Sequence, residues 1–397
     1  VEPEQLVQNS EPDVLKSLQG KVAGVDIRSS QGTPGAATRV NLRGFTSFYG
    51  TNEPLIVVDG IPYSNDYVNT SDETSGGGAY TSGLSTLDPN DIESMTVLKG
   101  AAAAALYGSR ASNGALIVKT KSGSARATQK GFEVTYASSA SLERVANLPD
   151  YQNTYGTGTL GEYANANGSW GAKFGTIDSI PTYPDYLAAF PGMPAKLPYQ
   201  AYPNNVEGLF RDGTAYENSI SLSGGTGASS ISSTASFLNH QGYVPNSSFN
   251  RANLSLGGQT KLANGLTLNG NFSYSRSNQK GSIFGENQTE GATSAFARTL
   301  FLGRNWNLDL PYEDANGLPV STNKAQYDNP LWAFQHNTLT DQTDRYVAGI
   351  KLGYQITPWL YANYQIGTNN YSFARRQVVD IGSRGTIVDG AAGLGSM

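Results

Sequence analysis

Arg345-Tyr-Val-Ala-Gly-Ile-Lys-Leu-Gly-Tyr-Gln-Ile356 alternates without a slip. One parity holds Tyr346, Ala348, Ile350, Leu352, Tyr354 and Ile356, and the other holds Arg345, Val347, Gly349, Lys351, Gly353 and Gln355. Successive side chains of a strand point to opposite faces, so this stretch offers one apolar and one mostly polar face. A helix would need its apolar residues three and four apart. The same grammar runs outward on both sides, through residues 266–275 and 360–367. It repeats less cleanly in 132–139, 216–224, 231–238 and 252–261. The result is seven strands of about 8 to 12 residues, the length a tilted strand needs to cross a bilayer.

Alternation alone also suits a soluble sandwich, and the connections decide between the two. Strands two and three meet around Gly224-Gly-Thr-Gly-Ala228, four and five at Ala263-Asn-Gly265, and six and seven at Thr357-Pro358. These are tight turns, and Asn-Gly is a strong hairpin signal. Residues 144–215 and 277–343 are by contrast far longer than a compact domain carries as loops. Short turns at one rim and long loops at the other are the rhythm of a membrane barrel. Seven strands cannot close one, and an open edge in lipid leaves backbone groups unsatisfied. The chain also starts at Val1 without a basic or apolar leader and stops in a glycine-rich run at 390–397, so a longer polypeptide is expected.

Composition agrees. Charged residues make up 15% of the 397, against roughly 25% in soluble domains. Glycine numbers 46 and tyrosine 23, against 14 phenylalanines and 4 tryptophans. The mean hydropathy of -0.37 and the absence of any long apolar run exclude a helical membrane protein. Zero cysteines exclude a disulfide scaffold and a cysteine nucleophile. The two histidines, His240 and His336, lie too far apart in sequence to suggest a zinc site. A net charge of -5 gives no footprint for nucleic acid.

Residues 1–127 read differently, as a small α/β unit. Ser10 and Asp13 resemble a capping box, Val14, Leu15 and Leu18 supply an apolar stripe, and Gly20 closes the helix. Strand-length apolar runs follow at 22–27, 40–42, 55–58, 95–98 and 115–118. Between the last two, 101–106 is six helix formers bounded by Gly100 and Gly108.

Several segments together carry a family resemblance. They are Leu18-Gln-Gly-Lys-Val-Ala-Gly-Val-Asp-Ile27, Arg39-Val-Asn-Leu-Arg-Gly44, Pro54-Leu-Ile-Val-Val-Asp-Gly-Ile-Pro62 and Leu87-Asp-Pro-Asn-Asp-Ile-Glu-Ser-Met-Thr-Val-Leu-Lys-Gly100. Ala104-Ala-Leu-Tyr-Gly-Ser-Arg-Ala-Ser-Asn-Gly114 and Ala115-Leu-Ile-Val-Lys-Thr120 continue the series. In order and spacing, residues 12–123 resemble the plug of SusC/RagA-type TonB-dependent outer-membrane transporters of the Bacteroidetes. The fold expected is therefore an all-β transmembrane β-barrel, partial, with about seven antiparallel strands of an expected 22 and a small N-terminal α/β plug. The plug is expected at 1–127 and the barrel at 128–397. The resemblance implies location in the cell outer membrane and active import of a large nutrient, oligosaccharide or peptide. It further implies a SusD-like surface lipoprotein as lid and periplasmic TonB as motor, pairing with a segment ahead of the plug by β-augmentation. Outer-membrane lipid surrounds such a barrel. No cofactor, metal or catalytic residue is expected, and no enzymatic activity.

Within that frame, Arg43 and Lys99 have two readings: a plug–barrel latch that force must release, or charges solvated in a wet gap. Phe45, Phe48, Tyr49, Tyr63, Asp66, Tyr67 and Tyr80 lie on segments joining plug strands. They read as substrate-binding, because tyrosines with a few acids suit sugars or peptides, or as packing against the wall. The aromatic residues of 144–215 suit a lid partner, a substrate or each other. Asp88, Asp91 and Glu93 lack calcium-loop spacing and read as a turn. The rival function is a structural or adhesive surface β-protein, which leaves the plug motifs unexplained.

Overall fold

The computed structural model describes residues 15–30, 32–44, 52–65, 67–69, 79–122, 130–166, 168–282, 295–300, 302–322, 328–383, 387–388 and 391–392. The first part of the expected helix, up to residue 14, lies outside them, and the part within them is not α-helical. What is described there is a single 3-10 turn, Lys16–Leu18, with Leu15 and Leu18 fully buried.

The N-terminal unit is built from short strands. β1 (Val25–Ser29) and β2 (Thr38–Leu42) form one hairpin. β3 (Leu55–Val58) and β4 (Ile61–Tyr63) form another, through a two-residue turn at Asp59 and Gly60. Both turn residues have positive φ, 51° and 85°, as a hairpin turn of this length favours. β5 (Tyr67–Asn69) pairs with β6 (Ala79–Ser82). β7 (Ile92–Leu98), α1 (Ala101–Tyr107) and β8 (Ala115–Thr120) complete the unit. The four-stranded sheet runs in the order β4-β3-β8-β7, with β3 and β8 parallel. Ile56, Val58, Ile92, Met95, Leu116 and Val118 fill its core.

Seven long strands follow: β9 (Lys130–Glu143), β10 (Gly213–Thr226), β11 (Ser229–Gln241), β12 (Ser248–Lys261), β13 (Leu266–Ser282), β14 (Thr338–Thr357) and β15 (Leu360–Val378). Each pairs antiparallel with the next in one open sheet. The tight turns stand where the sequence puts them. The strands, however, run 13 to 20 residues, beyond the 8 to 12 expected. The long connections shrink accordingly, to 144–212 and 283–337. The cause is visible in β14. Its lower part has the apolar outer parity, whereas 340–344 is polar on both faces and extends the ladder above the zone where lipid imposes a pattern.

The outer face is apolar and exposed, with Tyr346, Ile350, Leu352, Tyr354 and Ile356 on β14 and Leu254, Leu256 and Phe272 beside them. The inner parity meets the N-terminal unit: Arg345 and Val347 are both 3% exposed.

The two long connections pack on each other. Ile180, Tyr183, Tyr186 and Tyr199 share a core with Val320, and Val206 and Leu209 share one with Leu302 and Trp306. Trp170 stays 69% exposed. Much of the aromatic content of 144–215 thus serves loop architecture.

Candidate functional site

The N-terminal unit sits against the concave face of the sheet, and the seam between them is polar. Arg251 on β12 is 1% exposed. Its Nη1 donates to the carbonyls of Ser85 (3.2 Å) and Leu87 (3.0 Å), and its Nη2 to Glu217 on β10 (3.2 Å). Arg345 on β14 donates to the Ser64 carbonyl at 3.0 Å. Its guanidinium also covers the rings of Tyr63 and Tyr371, with centroids at 4.2 and 4.7 Å. Asp341 is held by Arg375 through two bonds of 2.7 and 2.6 Å and accepts from Thr81 at 3.2 Å. The Ser236 hydroxyl reaches Asp88 at 2.7 Å. A buried guanidinium needs such partners, because stripping one away leaves an uncompensated charge at a cost of about 3–5 kcal/mol.

Close approach accompanies these bonds. Gly349 and Gly367 face each other across β14 and β15, and the Ile61 side chain enters the pit between them. A Cβ at Gly349 would lie 3.0 Å from Ile61 Cδ1. Beside it the Asp59–Gly60 turn is tied to the wall: Gln365 donates to the Asp59 carbonyl at 2.8 Å, and Asn271 to its carboxylate at 3.3 Å. Thr120 binds the same carboxylate twice, at 2.9 and 2.6 Å. Burial nevertheless pushes the Asp59 carboxyl above its ordinary pKa. Asp91, 5% exposed, is raised to about 7 by burial first and by the Asp88 charge second.

Among the described residues, two of the cavities along the seam are roomy. One of about 630 Å³ opens at the long-loop end, lined by Lys16, Thr33, Glu143, His240, Tyr243 and Phe249. His240 Nε2 is 2.9 Å from Glu143 Oε1 there. The other, about 470 Å³, lies at the tight-turn end beneath the Asp59–Gly60 turn. Both fall in the size range of ligand sites. Among the described residues no group of three or more His, Asp or Glu could hold a metal ion.

The residues singled out by sequence are scattered. Phe45, Phe48, Tyr49 and Asp66 lie outside the described residues, and Tyr67 and Tyr80 are described only in their backbone, on β5 and β6. Tyr63 is 6% exposed, its hydroxyl bonded to Thr86 at 2.7 Å and its ring under Arg345. It packs the seam and is closed to a ligand. Lys99 donates to the Ala23 carbonyl within its own unit. Arg43 is exposed beside Gly100. Neither meets the seven strands among the described residues. Arg251 and Arg345 make the contacts sought there. Their signal in the sequence was a charged residue on the inner parity of a barrel strand, where water is excluded and a partner is required.

Residues 1–115 match the family model described as TonB-dependent Receptor Plug Domain. The TonB-dependent receptor SusC of Bacteroides thetaiotaomicron is 27% identical over 348 residues, which is 86% of this chain and 30% of SusC. TonB-dependent receptor P39 of Formosa agariphila is 36% identical over 157 residues, covering 39% of this chain and 13% of that protein. In structure, the RagAB peptide importer in its open-open state superposes with a TM-score of 0.69 at 20% identity, over 97% of this chain and 42% of that one. The chain thus spans less than half the length of each of these proteins. With the plug, the meander of long strands and the SusC relative all in agreement, the chain comprises the plug and seven antiparallel barrel strands of a SusC-type TonB-dependent receptor.

Proposed function

We propose that the chain serves TonB-dependent active import of a large nutrient, an oligosaccharide or peptide, across the outer membrane, and that it does no chemistry on the cargo. A SusD-like surface lipoprotein closes the long-loop side, and TonB pulls from the tight-turn side. Phe45, Phe48, Tyr49, Asp66, Tyr67 and Tyr80 are the proposed cargo contacts. Arg251 and Arg345 take the latch role first assigned to Arg43 and Lys99. One observation carries the reading: the plug is fixed in the curve of the wall by buried guanidiniums bonded to its backbone carbonyls, so a large solute passes only if the plug moves. Directional pulling acts on such bonds one after another, which makes a mechanical motor the fitting release.

The test is purification of the full-length protein from outer membranes in mild detergent, with its intact mass and every co-purifying protein identified. Uptake of fluorescent glycans and peptides is then compared in cells with and without TonB. A tightly bound lipoprotein and uptake lost without TonB are expected. A protein that purifies alone, with uptake indifferent to TonB, overturns the reading.

A further inference from the structure

The cavity at the tight-turn end has a chemistry of its own. It lies between the β3–β4 turn, α1 and β8 of the plug and the strands β12–β15. Two ammonium groups face it, Lys119 from the plug and Lys351 from the wall, and both side chains are exposed to it. Neither carries an ion pair among the described residues. The Gln259 amide and the phenols of Tyr107 and Tyr361 complete a lining rich in donors. The one carboxylate in this lining, Asp59 of the plug, is bonded to Thr120 and Asn271 and lies within electrostatic reach of Lys119.

Two cations across a gap, with neutral donors between them, are complementary to a chain of acceptors carrying negative charge. The chamber is on the same side as the tight turns, the periplasmic rim of a barrel. It is closed from above by the Asp59–Gly60 turn that Gln365 and Asn271 hold. Resting on the import reading above, we propose that this chamber is an exit station for carboxylate-bearing cargo, gripped between Lys119 and Lys351 once it has passed the plug. The shared chemistry is the carboxylate, which an acidic peptide and a uronate oligosaccharide both supply. A lysine on each side of the seam makes the grip depend on plug position: the pair separates when the plug is displaced and forms again on its return.

The experiment uses the full-length transporter with Thr267, which lines the chamber, replaced by cysteine. The chain itself has no cysteine, and any elsewhere in the full-length protein is removed. The labelling rate of Thr267→Cys by a thiol-reactive fluorophore is measured with trigalacturonate, triglutamate or uncharged maltotriose. At least one carboxylate probe is expected to slow labelling by roughly tenfold, with the effect fading as salt is raised. The probe that does so identifies the source as glycan or peptide. The protection should vanish in the Lys119→Gln/Lys351→Gln double variant, whose heat-modifiable gel migration reports an intact barrel. Protection by maltotriose to the same degree, protection that survives in the double variant, or no protection by either carboxylate probe overturns the station. TonB-dependent uptake and lipoprotein co-purification are read on the same strains, so the import reading stands or falls separately.

Discussion

The guanidinium of Arg345 stands 4.2 Å from the ring centroid of Tyr63, a wall cation laid on a plug ring. The same group donates to the Ser64 carbonyl at 3.0 Å, so one side chain fixes both the ring and the backbone that follows it. A desolvated cation–π contact is worth about 2 kcal/mol, and the abandoned carbonyl adds its own desolvation cost. Arg345→Ala is therefore expected to loosen the plug by about 3 kcal/mol. Faster hydrogen exchange across residues 61–65 and 83–87 would read this directly. Arg345→Lys should restore little, because a point charge cannot cover two rings and a carbonyl together. Exchange unchanged in Arg345→Ala would remove this residue from the latch.

A second contact tests shape instead of charge. A Cβ at Gly367 would lie 2.6 Å from Ile61 Cγ1, so Gly367→Ala must push the β3–β4 hairpin off the wall. Ile61→Ala leaves the pit empty and is expected to cost about 2–4 kcal/mol. Combined, the two changes fill the pit from the other side, and the double variant should be more stable than the sum of the singles predicts. Strict additivity in a thermal or urea titration would mean that the two side chains do not share the pit.

The strands of the wall were legible because lipid on one side and plug on the other enforce a period of two, as in 345–356. Turns such as Asn264-Gly265 announce themselves chemically. What escaped was whatever depends on two distant segments meeting. Tyr63 looked like a ligand contact because sequence shows the phenol but not Arg345, which is 282 positions away and lies over it. Arg251 carried no motif, and its importance comes from facing inward opposite two plug carbonyls. Upper strand ends were placed too low, since above the lipid zone the ladder continues without an apolar parity to mark it.

The paired long loops give a third expectation. Asn205 donates to the carbonyls of Gly303 (2.9 Å) and Trp306 (3.2 Å), clasping one connection to the other. Asn205→Ala leaves both carbonyls short of a donor, at a cost of about 1–3 kcal/mol. Limited proteolysis should then cut within 302–309 several times faster, while the strands below keep their protection. Equal cutting rates would show the apolar cluster of Val206, Leu209, Leu302 and Trp306 to be sufficient.

The last expectation concerns pH. Asp91 is packed among Asp88 and Asp59 of the plug, Ser122 at the end of β8 and Ser255 of the wall. Its pKa rises from an ordinary 3.8 to about 7, because burial disfavours the charged form and the neighbouring Asp88 charge adds to it. A folded-state pKa above the unfolded one means that the seated plug binds the extra proton. The corresponding stability is complete in acid and is lost as pH climbs from about 4 through 7. The loss is on the order of a few kcal/mol. Asp91→Asn keeps the shape and removes the charge, so it should hold the plug more firmly than the parent at pH 8 and no differently at pH 4. The plug's thermal midpoint, followed between pH 5 and pH 8, should fall in the parent and stay nearly level in the variant. If both fall together, Asp91 keeps its charge in the seat and another group sets the slope.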